Sequence, residues 1–154
     1  MGIWTVTPIL RIFDERKAKE FYVDFLGFSI RFEHRFGENF PLHMGLSLSD
    51  CTLHLSEHHG DACPGAQVRI RCDLIEQCLA TFVSKDYKFA KPRAPNATPW
   101  QTLEATISDP LREPPDICSR KMIATSACGH KVSSARNLRP LSISRVGPSA
   151  AFGP

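Results

Sequence analysis

A chain of 154 residues, 42% apolar and 23% charged, can bury one core but not two ordinary ones. Its net charge of +3 is uneven: of 19 basic groups, 12 fall in residues 1–110 and 7 in 111–154, while the 16 acidic groups divide 14 and 2. The basic excess therefore sits in a tail without aromatic interleaving, which argues against a nucleic-acid face. No stretch reaches the roughly 18 apolar residues of a membrane span.

Residues 1–6 lack the charged-then-apolar order of a signal peptide, and Val6 stands where a myristoylation signal needs Ser or Thr, so a cytoplasmic protein is expected. The six cysteines, at 51, 63, 72, 78, 118 and 128, form no C-x-x-C pair and are read as reduced thiols.

Residues 4–12 alternate bulky and β-prone side chains, which predicts a strand. Asp14 then caps a helix with Glu15 in its first turn. Its apolar stripe is Ala18, Phe21, Tyr22, Phe25 and Leu26, at spacings of three and four, and Gly27 ends it. Residues 28–36 alternate Phe28, Ile30 and Phe32 against Ser29, Arg31 and Glu33, the period of a half-buried strand. Strands over 42–48 and 52–56 follow in hairpin order around Ser49-Asp50. The stretch 58–65 is a loop by composition.

The order then restarts, with a strand over 67–72 and a helix over 74–84 that turns Leu74, Ile75, Cys78, Leu79 and Phe82 inward. Residues 87–90 read as a short strand and 102–107 alternate again. Three prolines make 92–99 an open loop. The pattern is α+β, with βαβββ occurring twice and the last strand missing.

Two ordered runs carry a resemblance: Thr7-Pro8-Ile9-Leu10-Arg11-Ile12, then Lys19-Glu20-Phe21-Tyr22-Val23-Asp24-Phe25-Leu26-Gly27-Phe28. With Thr52-Leu53-His54-Leu55-Ser56-Glu57 and the Pro99-Trp100, Glu104 and Ser108-Asp109-Pro110 positions, residues 5–110 resemble the glyoxalase/bleomycin-resistance/dioxygenase (vicinal oxygen chelate) superfamily. The resemblance implies tandem βαβββ modules, here about 4–57 and 66–110, curling into a half-open mixed sheet around a cleft that a homodimer completes.

Metal-dependent members of that superfamily bring four ligands together because a divalent cation needs several N/O donors at one point. Aligned by the motifs, the first three positions are Thr7, His54 and Gln67, of which only His54 is a good ligand; the fourth has no counterpart in 111–154. A metal-dependent glyoxalase- or dioxygenase-type enzyme is thus the alternative, together with an inactive member. Glu57, His58, His59, Asp61 and Cys63 offer donors within a few residues, but adjacent strand side chains point apart and the loop is Gly- and Pro-rich, so a solvated turn is expected.

What the resemblance favours is the bleomycin-resistance branch, which sequesters a cationic, flat-ringed antibiotic without chemistry and without a cofactor. Such a site needs aromatic faces, carboxylates and a concave wall. The candidates are Trp100 in its Pro-Trp loop, Phe32, Phe36, Glu38, Phe40, His43, His54 and Glu104.

Beyond Pro110 the family pattern stops. Leu111-Arg112-Glu113-Pro114-Pro115-Asp116-Ile117 cannot be a central strand, and residues 111–154 read as an atypical, disordered tail. One codon set for this heptapeptide, read one base on, continues as Phe-Ala-Asn-Arg-Leu-Thr, the family continuation. A frame-shifted C-terminus is the hypothesis, with the closing strand lost.

Overall fold

The computed structural model describes residues 2, 5–63, 65–109 and 121–127. Strand β1 (Ile9–Arg11) is shorter than its alternation suggests, because it is an edge strand paired, in parallel, with one neighbour. Asp14 caps α1 (Glu15–Lys19) as predicted, its carboxylate accepting from the Lys17 amide at 2.9 Å. The helix continues as a widened π turn over Glu20–Phe25 that buries Phe21, Tyr22 and Phe25. Gly27, at φ +88°, then reverses the chain in the left-handed conformation a Cβ disfavours.

Three strands, each antiparallel to the next, complete the first module: β2 (Ser29–His34), β3 (His43–Leu48) and β4 (Cys51–Ser56). The second repeats it with β5 (Gln67–Arg71), α2 (Ile75–Ser84), β6 (Asn96–Ala97), β7 (Thr102–Ser108) and β8 (Lys121–Ala127). The sheets run β1-β4-β3-β2 and β5-β8-β7-β6, so each module's first strand lies parallel to its last. The expected α+β architecture of tandem βαβββ modules is the observed one, its strands lying in two open, mixed four-stranded sheets.

Three expectations need correction. Strand β8 is present: it begins after the prolines, carries the β-branched Ile123 and Thr125, and lies between β5 and β7, so backbone ladders on both sides compensate for its weak side-chain pattern. The second module therefore runs through residue 127. The heptapeptide 111–117 and the remaining tail lie outside the described residues. Residues 87–90 form a turn, the Ala90 amide donating to the Tyr87 carbonyl at 3.2 Å, and the short strand instead lies at Asn96–Ala97 inside the proline-bounded segment. In β2, a register shift between Ile30 and Phe32 breaks the in-out alternation, leaving the whole edge strand exposed.

A smaller cluster packs Ile75 and Leu79 of α2 on Ala105 of β7, and the main core joins the first helix to both sheets. Leu10, Ile12, Phe21, Tyr22, Met44, Leu46, Leu53 and Leu55 are buried in it beside Ile107 of the second module. Phe25 stacks on Tyr87 at 4.8 Å and meets Phe82 at 5.4 Å. The Tyr22 hydroxyl donates to Asp109 at 2.7 Å across the modules, and Lys85 donates to the carbonyls of Asp24 and Phe25 at the end of the first helix. These contacts bury the helix-facing side of each sheet and leave the opposite side open.

Candidate functional site on the open sheet faces

Residues directly opposite on paired strands share a face. On the side of the first sheet away from its helix, one row across β1, β4, β3 and β2 is Arg11, Ser56, His43 and His34; the next is Ile9, His54, Gly45 and Phe32. Gly45 makes the second row work. A Cβ there would stand 2.3 Å from Phe32 Cε1, so only glycine lets the phenyl ring lie against the sheet.

Two imidazoles border that ring. His43 lies parallel to it (centroids 6.0 Å apart, 7° between planes), and His54 meets it edge-on at 5.2 Å. His43 Nε2 and His54 Nδ1 are 3.1 Å apart and share a hydrogen bond. Partial burial, and secondarily the His43 charge, lowers the His54 pKa from its ordinary 6.5, favouring the neutral ring. His43 Nδ1 stands 3.5 Å from Asp61 Oδ2, and the same oxygen accepts from Ser56 Oγ at 2.6 Å. That hydroxyl, with His43 and the charge of His58, holds the Asp61 carboxyl below its usual range against a smaller effect of desolvation. Phe36, largely exposed, meets His34 at 4.7 Å and His58 at 5.8 Å. Phe32, His34, Phe36, His43, His58 and Asp61 border an open hollow of about 650 Å³.

The second sheet presents a polar clamp around an indole. Trp100 is 59% exposed, and its Nε1–H donates to Glu104 Oε1 at 3.0 Å. Arg69 forms an ion pair with the same oxygen, and Thr102 donates to it at 3.3 Å. The Arg69 guanidinium lies 5.9 Å from the indole centroid. Desolvation opposes the charged form of Glu104, but the Trp100, Arg69 and Thr102 contacts outweigh it and lower its pKa. Glu104 thus spends its charge on Arg69 and orients Trp100 rather than standing free for a cation.

Of the residues singled out in the sequence, the structure brings Phe32, Phe36, His43 and His54 together on the first sheet, and Trp100 with Glu104 on the second. Glu38 and Phe40 are exposed in the turn between β2 and β3, where the Phe40 amide donates to the Gly37 carbonyl at 3.0 Å. His34, His58, Asp61 and Arg69 were not among the candidates. The alternation of Gln67, Arg69 and Arg71 with Val68 and Ile70 was the available signal for Arg69. Asp61 and His58 appeared only within the donor-rich loop. That loop disperses its donors: Glu57 accepts from the Leu42 amide at 2.8 Å and pairs with Arg35, while Asp61 turns to Ser56.

The donor set does not fit a divalent metal ion. At the aligned positions, Thr7 Oγ1 lies 3.5 Å from Thr52 Oγ1, His54 Nδ1 is taken by His43, Gln67 offers an amide, and Lys121–Ala127 contains no carboxylate or imidazole. Among the described residues, no group of three or more His, Cys, Asp or Glu side chains is placed to hold a metal ion.

A family model described as "Glyoxalase superfamily protein" matches residues 1–122. No curated protein matches the chain. Among solved structures, it is similar to TnmS3, an antibiotic-binding protein from Streptomyces sp. CB03234, with 24% identity, a TM-score of 0.59, and coverage of 82% of this chain and 99% of that one. A bleomycin resistance determinant encoded on transposon Tn5 gives 22% identity and a TM-score of 0.61, over 81% of this chain and 98% of that one. A bleomycin-binding protein complexed with bleomycin gives 21% and 0.59, over 80% and 98%.

Proposed function

The chain belongs to the glyoxalase superfamily, and from that premise we propose that it is a binding protein of the bleomycin-resistance type, holding a cationic, flat-ringed small molecule without breaking a bond. The observation that carries this reading is the aromatic floor built by Phe32 on Gly45, with His43 parallel to it and His54 at its edge. A planar heterocycle stacked on such rings gains about 0.5–1.5 kcal/mol per ring beyond its buried area. The Asp61 carboxylate at the border of the hollow attracts positive charge, and the exposed Trp100 indole offers a second stacking face. The binding neighbours of similar fold point the same way.

In this reading the protein acts in the cytoplasm as a homodimer. Phe32, Phe36, Phe40 and Trp100 are each more than two-fifths exposed, as expected of surfaces that a second copy and a ligand cover. Glu38 and Phe40, exposed in the turn between β2 and β3, are assigned to the site's rim in the same reading. The experiment is a titration of the purified chain with bleomycin, following indole fluorescence and analysing the recovered ligand. Saturable quenching with the ligand returned intact supports sequestration. Turnover of a substrate together with stoichiometric nickel, zinc or iron bound at His54 overturns it in favour of an enzyme.

A further inference from the structure

Arg69 belongs to β5 and Glu104 to β7, with β8 between them, so the arginine side chain crosses a whole strand to reach its partner. It makes two contacts there. One guanidinium nitrogen, Nη1, pairs with Glu104 Oε1, and the planar group stands over the Trp100 indole, 5.9 Å from its centroid. A carboxylate beside an aromatic face is an arrangement that binds a planar cation, and the cation in place is the protein's own.

The arrangement does not depend on Arg69 for its shape. Trp100 Nε1–H and the Thr102 hydroxyl hold Glu104 Oε1 at 3.0 and 3.3 Å. Thr98 ties the loop that carries the indole: its hydroxyl accepts from the Thr102 amide and its carbonyl from the Gln101 amide, each at 3.1 Å. Arg69 is the loose member. Its side chain is 51% exposed against 13% for Glu104, and a long, rotamer-rich side chain held by an ion pair and one ring contact regains entropy when it swings away.

We propose that Glu104 and Trp100 form a cation subsite that Arg69 itself occupies, and that the planar cationic group of a ligand, an amidinium or guanidinium, enters by displacing it. The chemistry of the occupant is read from the side chain seated there. Arg69 is then a specificity-determining residue: a cationic group replaces the ion pair that it breaks, whereas an uncharged ring leaves Glu104 without its counter-charge when Arg69 moves. This deepens the reading of the protein as a binder of cationic, flat-ringed molecules and rests on that reading for the ligand class.

The test titrates the full chain with benzamidinium, and with benzamide as its uncharged counterpart, by calorimetry. Arg69→Ala is expected to bind benzamidinium about tenfold tighter than the parent, the factor for an exposed ion pair and a cation–π contact that no longer have to be broken. Benzamide gains nothing. Adding Glu104→Gln to Arg69→Ala abolishes the gain. Arg69→Gln, which keeps a polar side chain on the exposed strand face, is expected to give the same gain, so the result does not hang on one variant; near-ultraviolet circular dichroism like the parent's shows that each is folded. Equal affinity in the parent and both Arg69 variants, a matching gain for benzamide, or a gain that survives Glu104→Gln overturns the proposal. Bleomycin bound by the parent draws on the Phe32 floor as well, so sequestration stands if the benzamidinium gain is missing, and the subsite stands if the gain appears and bleomycin does not bind.

Discussion

Phe32 lies over Gly45, on the adjacent strand, so closely that no other residue at 45 leaves the ring where it is. Gly45→Ala must therefore move Phe32. The displaced ring is 44% exposed and has room to swing outward, so stability should fall by about 0.5 kcal/mol or less. Affinity for a planar ligand should fall about tenfold with the stacking face lost. Thermal unfolding and a bleomycin titration of the same variant check both halves.

His54 gives the fold a pH dependence. Its folded pKa lies below the ordinary 6.5, so below that value the unfolded chain takes up the proton first. The contribution to stability is fully present above 6.5 and is lost as pH falls through the folded pKa. Denaturant unfolding between pH 8 and 5 should decline in this window for the parent, and His54→Gln should decline less steeply. Parallel curves for the two proteins would contradict the shift.

The hydrogen bond from Tyr22 to Asp109 ties the first helix to the end of β7. Tyr22→Phe removes a donor from a buried carboxyl group and should cost about 1–3 kcal/mol. Equilibrium urea unfolding reads the loss directly, as a lower midpoint at unchanged slope.

Strand β8 carries ladders on both sides, so Ile123→Pro removes a donor from its centre and should cost about 3 kcal/mol or more, in excess of trimming the side chain alone with Ile123→Ala. Limited proteolysis of the parent is expected to leave a fragment containing Lys121–Ala127 rather than one ending near residue 115. A stable fragment without that strand would overturn its place in the second sheet.

Local periodicity was enough to order the elements from β1 through α2. The Asp14 cap, the stripe from Ala18 to Phe25 and the hairpin around Ser49 repeat at spacings set by the backbone itself, and they led to the superfamily. Which residues meet at the site depends on register, and register joins positions far apart in the chain. His43 and His54 meet 11 residues apart, Arg69 and Glu104 meet 35 apart, and the bulge in β2 exposes residues whose alternation promised burial. Strand β8 was hidden for a related reason. Its short run of small and β-branched side chains carries little pattern, and its stability comes from backbone groups paired with two neighbours that only the folded sheet supplies.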